Sequence, residues 1–437
     1  MGKAVKQFFV RRSSFLVLGS SLLVICLSGI RAIAANAEPK SKNQEQVAAI
    51  FRPEAGKFPP IEKSVSYEGE LVFVDHANRR GSIRVKAGSD VLYRNAPHPF
   101  AMLPYGIVRY HGAAADLRDV PIGTMLHVSA FLPPDPNTSA VPVVKNPTVE
   151  HPAENHVILL EDEPSYCQRT GKTWKLKEID LQKIQGMVIA SLEPKEGSDS
   201  KAAEQKLTLN AATRIWRGRE SLTIADLIAE GIWSASGKKS LGGQAVRLGL
   251  TWLPAGTWEN RVEHQFHISD IWLDDLAMQR SAQQQASQHQ TLIRTRWLSG
   301  WVDTVEYGKF GHATVTATLF GDMDATLFAD LTPGSMMIMN PATDTLKHMG
   351  DSYGNAHMAS KGTILDVIRA SGVSPTGSSG VQVRFETDLI IEGIRPSRVV
   401  RVRPASWTDV AVPREEYLGV GAQHEDRFPS PAIFPKY

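Results

Sequence analysis

Three stretches of this chain follow one order of strand and turn signals, spaced by roughly 115 residues, and that spacing limits what it can fold into. Each stretch opens with a Gly-led apolar run: GELVFV at Gly69, GMVIAS at Gly186 and GWVDTV at Gly300. An alternating run follows, SIRVK at Ser82, KLTLN at Lys206 and ATVTATLF at Ala313. Next come the acidic-apolar-Gly turns at Asp119 (DVPIG), Asp226 (DLIAEG) and Asp330 (DLTPG), with TMLHVSAFL, IWSASG and SMMIMN as the strands after them. A last apolar strand closes each stretch, at His156–Leu160, His267–Leu273 and Arg398–Val402. Period-two alternation means half-buried strands, so the pattern predicts tandem small β-domains rather than one large enzyme fold.

Each unit reads as three strand signals, a short helical segment such as Ser221–Leu227, and two more strands. That layout predicts a mainly β protein of three tandem OB-like barrels, at 67–165, 174–273 and 298–405. The third is an elaborated copy, with extra strand-like runs at Thr363–Ile368 and Val381–Phe385. Val72, Val74, Val188, Leu209, Val302 and Val315 are expected inside three separately packed cores.

The flanking segments differ in character. Lys3, Lys6, Arg11 and Arg12 precede an apolar run from Phe15 to Ile30, and Ala35-Asn36-Ala37 supplies a small-residue cleavage site. This order predicts a signal peptide over 1–37 and a mature chain starting at Glu38, with no integral membrane segment left after cleavage. The arginine pair fits a twin-arginine signal poorly, because Phe15 sits one residue too far away. Residues 38–66 read as a linker, and the Pro-rich 133–155 as a loop inside the first unit. In 163–181 the spacing of Trp174, Leu176, Ile179 and Leu181 predicts a strand within the bridge. Residues 274–297 predict one long helix joining the second and third barrels, with aspartates at its start and Arg294 and Arg296 at its end. The Gly/Pro-rich 406–437 reads as a tail.

The wording of the units resembles repeat domains of unassigned function found in exported bacterial proteins. The shared features are a Gly-x-Val strand, an alternating strand, a Thr-x-Ile strand (Thr213-Arg214-Ile215) and Asp-Leu-x-x-Gly before a strand. The resemblance implies an exported β-barrel array and brings no catalytic residues with it.

Charge narrows the partners. Removing residues 1–37 takes away five basic side chains and no acidic ones, so the formal charge moves from +2 to −3 (43 basic, 46 acidic). Such a chain lacks the broad positive field that nucleic-acid binding draws on, and no nucleic acid is expected as a partner. Cys26 leaves with the signal, so Cys167 has no cysteine to pair with.

Few residues suggest chemistry. His264 and His267 lie three apart on a strand, which puts them on opposite faces, whereas a zinc site wants both rings on one side. Asp322, Asp324 and Asp330 lack the Gly and Glu of a calcium loop. Gly231–Ser240 imitates a phosphate loop with the wrong glycine spacing, and Ser236-Gly237-Lys238-Lys239 stands without its companion motifs. Arg398, Arg401 and Arg403 read as a solvated strand edge that discourages aggregation. Trp252 and Trp258 flank a turn, and Trp301 opens the third unit; with aromatic faces suited to stacking on sugars, these three are the candidate ligand-binding residues. No catalytic residue, metal or cofactor is expected. The expected function is that of an exported, non-enzymatic binding or structural protein, periplasmic or extracellular. Its partner would be an unidentified envelope protein or polysaccharide. The alternative is a secreted hydrolase whose site is assembled only in the fold.

Overall fold

The computed structural model describes residues 51–76, 79–85, 97–131, 155–195, 197, 202–253, 265–321, 323–341, 359–391 and 393–407. The signal segment, the 133–155 loop but for its last residue, and almost all of the tail lie outside them. No helix among the described residues is long and apolar enough to cross a membrane. The described chain is mainly β and includes two closed barrels, one of five strands and one of six.

The first unit holds β1 (Val65–Asp75), β2 (Arg80–Val85), β3 (Pro97–Tyr110), the short β4 (Ala113–Ala114), β5 (Met125–Phe131) and β6 (Asn155–Asp162). Five of these strands close in the order β1-β2-β3-β6-β5, all antiparallel except β3 with β6. A 3-10 turn at Leu117–Asp119 sits before β5, capped by Asp116.

Helix α1 (Glu163–Thr170) leads into β7 (Thr173–Gln182), where Trp174, Leu176, Ile179 and Leu181 are all buried, as the bridge spacing predicts. A register shift between Leu176 and Glu178 explains why that spacing skips a residue midway. The unit continues through β8 (Gln185–Glu193), β9 (Ala203–Leu209), β10 (Arg214–Arg217), β11 (Glu220–Leu222), helix α2 (Ile224–Ala229), β12 (Ser236–Leu253) and β13 (Gln265–Trp272). Its sheet runs β11-β10-β13-β12-β7-β8-β9, and β9 meets β13 again in parallel through Leu207–Phe266 and Thr208–His267.

Helix α3 (Asp275–Arg296) follows, with Asp274 as its cap accepting from the Ala277 N–H at 2.8 Å. The third unit comprises β14 (Leu298–Tyr307), β15 (Ala313–Phe320), β16 (Met336–Pro341), β17 (Ser360–Arg369), β18 (Ser378–Thr387) and β19 (Val399–Pro404). These close as β14-β15-β18-β17-β16-β19 with every pair antiparallel.

The three lead glycines have one physical cause. A Cβ at Gly69, Gly186 or Gly300 would collide with a carbonyl oxygen of the facing strand, of Arg84, Asp180 and Thr318 respectively. Each glycine therefore lets two hairpin strands approach closely. The sequence match is out of step in the middle unit, however. Gly69 and Gly300 lie on the first strand of their hairpins, whereas Gly186 lies on the second, β8, paired to Leu181 of β7.

Of the expected core residues, Val188, Leu209, Val302 and Val315 are buried, while Val72 and Val74 are only partly so. A bulge between Leu71 and Phe73 turns the strand there, leaving Leu71 as the fully buried residue. One apolar cluster fills each unit, but the cores are not sealed from one another. Met125 and Cys167 join the second cluster. A fourth joins Leu103, Tyr105, Phe131 and Ile158 of the first unit to Trp301 and Phe320 of the third. Phe51, Phe58 and Ile61, from the expected linker, pack against that junction.

Candidate functional site

Beside this junction, the first unit, the end of α3 and the six-stranded barrel of the third unit enclose a cleft of about 80 Å³. Its charged lining is Arg79, Arg296 and Arg401, with His76, His289 and Asp116. Tyr105, Phe320 and Met323 supply apolar walls.

Arg79 sits in the β1–β2 turn with φ of 54°, in the left-handed region. The reason it is held there lies on β3. Between Met102–Val157 and Ile107–Leu159 the β3–β6 ladder jumps, so Leu103–Gly106 bow away opposite one residue, Ile158. The Arg79 guanidinium donates to the carbonyls of Leu103 (3.3 Å), Pro104 (2.8 Å) and Gly106 (2.6 Å). It thus satisfies acceptors that the bulge has taken from the ladder, as buried carbonyls require.

Arg296 is the last residue of α3 and only 5% exposed. Its carbonyl, at the partially negative helix end, accepts from Arg401 Nη1 at 2.9 Å. Arg401 comes from β19, directly paired with Ser299 of β14. Its Nε is buried and has no hydrogen-bond partner among the described residues. Asp116 caps the 3-10 turn and accepts from the Arg118 backbone N–H (3.2 Å) and Nε (3.4 Å).

The electrostatics follow from this crowding. Burial, then Arg296 and Arg79, push Arg401 down to about 9, and Asp116 only partly offsets them. Arg296 falls to about 10 through burial, then Arg118. Arg79 is lowered by burial, against Asp116. His76 is lowered by burial, then Arg118. The arginines remain protonated at neutral pH, so the cleft concentrates positive charge in a small, partly enclosed space. Guanidinium groups hold oxyanions through paired N–H donors and neither take up nor release protons in turnover.

The sequence-derived candidates lie elsewhere or inside the packing. Trp252 is 3% exposed within the second core, and Trp301 is 3% exposed between Phe58, Tyr105 and Phe320. Neither presents a face to a ligand, because each ring is taken up by apolar neighbours. Trp258 and His264 lie outside the described residues. His267 Nδ1 is 3.1 Å from Thr208 Oγ1, at an open groove of about 380 Å³ on the second unit lined also by Asp180, Gln185 and Met187. Among the described residues no three His, Cys, Asp or Glu gather as a metal set. Asp324 caps a 3-10 turn, Asp330 accepts from Trp407 Nε1 at 2.7 Å, and Lys239 donates to the Gly231 carbonyl at 2.6 Å.

Arg401 and Arg403 do not lie on a solvated edge. β19 is paired on both sides, so one arginine enters the cleft and the other, 6% exposed, donates to the Trp407 carbonyl at 2.6 Å. The alternation of arginines along β19 was the available signal. Arg79, Asp116 and Arg296 gave none, being far apart in sequence. No family model matches the chain, and no curated protein matches it.

Proposed function

We propose that the protein is an exported, non-enzymatic binding or structural component of the bacterial cell envelope, built from OB-like barrels, with an envelope protein or polysaccharide as partner. The basic, apolar and Ala-x-Ala order of residues 1–37 supports export to the periplasm or beyond. The strand order of the first unit, 1-2-3-5-4 with its third and fifth strands parallel, supports the OB-like reading. The parallel β9–β13 contact supports a third barrel of the same type in the second unit. The six-stranded barrel of the third unit, wholly antiparallel, would be the elaborated member.

The observation that carries the binding reading is the arginine-lined cleft, whose groups suit holding an anion better than activating water. Fractionation with N-terminal sequencing tests the export half: the envelope fraction should contain a chain starting at Glu38. A chain retaining Met1 in the cytoplasm would sink it. Turnover of esters, peptides or phosphate esters by that mature chain, abolished in a defined point variant, would overturn the non-enzymatic half.

A further inference from the structure

We propose that the cleft between the first unit, α3 and the six-stranded barrel of the third unit binds one small oxyanion through Arg401, Arg296 and Arg79. The ligand chemistry is a phosphate, sulfate or carboxylate group, either as a free ion or as the terminal group of a larger envelope molecule. The proposal deepens the binding reading above and rests on it for its biological purpose, though not for its geometry.

Three features converge. The first is the charge balance, since among the described lining residues three guanidiniums stand with one carboxylate, that of Asp116. Burying like charges together is costly unless a counter-charge joins them, and an oxyanion supplies it. The second is unused donor capacity. The Nε of Arg401 and the hydroxyl of Tyr105 are buried without a hydrogen-bond partner among the described residues, and both residues line the space. Buried polar groups in folded proteins are nearly always partnered. Arg79, by contrast, is tied to three carbonyls, so it contributes field more than hydrogen bonds. The third is size: about 80 Å³ admits an oxyanion or a few waters and excludes a sugar ring or a base.

The cleft is also made by tertiary packing alone. Arg401 and Arg296 meet through one hydrogen bond between β19 and the end of α3. Asp116 is already engaged as a cap and in an ion pair with Arg118 at 3.4 Å. Asp322, between the lining residues Gly321 and Met323 in sequence, lies outside the described residues, and its substitution is therefore included in the test.

The test is isothermal titration of the chain beginning at Glu38, in phosphate- and sulfate-free buffer at pH 7. The probes are inorganic phosphate, sulfate, glycerol 1-phosphate and, as the neutral control, glycerol. One saturable 1:1 site for the anions and none for glycerol is expected, weakening as salt is raised. Arg401→Gln should weaken it about tenfold or more, and Asp116→Asn should tighten it. Phosphate binding without glycerol phosphate binding would assign the free ion; binding of both would assign the terminal group. Near-ultraviolet circular dichroism checks that the variants fold, and if R401Q does not, D116N and the salt dependence decide. Absence of saturable anion binding in the wild type overturns the proposal, including the case where only Asp322→Asn binds. Affinity unchanged in both R401Q and D116N overturns it as well. If the site fails in this way while the mature chain remains exported and inert as a catalyst, the broader binding reading stands with a different ligand.

Discussion

At Arg401 one side chain has opposite meanings on an isolated strand and in a closed barrel. Three arginines near a terminal strand suggest a charged edge, yet Val400 and Val402 fill the barrel core while Arg401 and Arg403, on the outer face, are covered by neighbouring packing, and only Arg398, ahead of the strand, stays exposed. The tryptophans are the reverse case. Trp301→Ala should cost about 3–5 kcal/mol in urea unfolding, because its ring fills the Phe58–Tyr105–Phe320 junction. A loss under about 1 kcal/mol would restore it as a surface residue. Buried titratable groups give a pH prediction. Burial holds His111 and His156 down to about 4 and Asp162 up to about 6. Between those values the native state lacks the two histidine protons that the unfolded chain binds, and retains one aspartic proton that the unfolded chain has lost. These three groups should therefore lower stability as pH drops from about 6 to about 4, by roughly 1.4 kcal/mol per unit for their one net proton, and the lowered His76 and His267 act in the same direction. Denaturant midpoints at three pH values check it, and a rise on acidification would show that Asp162 dominates. Cys167, 1% exposed with its thiol pKa raised by burial, then by Glu163, should resist thiol reagents until the mature chain unfolds.

Elements carry the repeat better than individual residues do. The Gly-led runs, the alternating runs and the closing strands all occur as strands, and the long helix spans almost the range that its aspartates and arginines delimit. Their pairing was less legible, as the displaced Gly186 shows: period-two alternation marks a strand and is silent about which hairpin partner it occupies. Gly186→Ala should destabilise by about 1–3 kcal/mol, since its Cβ would strike the Asp180 carbonyl. A neutral result in thermal melts would remove the close-approach explanation. Asp274→Ala should cost about 1 kcal/mol or more, because the carboxylate caps α3 and also accepts from the Gly218 N–H at 2.8 Å. The same melts decide that.

For the whole molecule, the junction cluster matters more than the repeat. The described residues belong to one compact unit, and Tyr105, Trp301 and Phe320 are shared between the first and third units. A segment spanning 298–407 made alone should therefore melt below its temperature in the full chain and bind a hydrophobic dye through exposed Trp301 and Phe320. Equal melting temperatures would mean the barrels are independent after all. The sequence by itself determined most of the strands, the connecting helix and the glycines, because alternation, capping and turn chemistry act over a few neighbouring residues; it misread Ile232–Ala235 as strand, where the chain turns and buries Trp233 before β12 begins at Ser236. Barrel closure, the exclusion of Val72 from the core and the burial of Trp252 were decided by the tertiary structure, through bulges and pairings that local pattern does not encode. The cleft belongs wholly to that second category. Arg79, Asp116, Arg296 and Arg401 stand far apart in the chain, and only the packing of two barrels against the end of α3 brings their charges together.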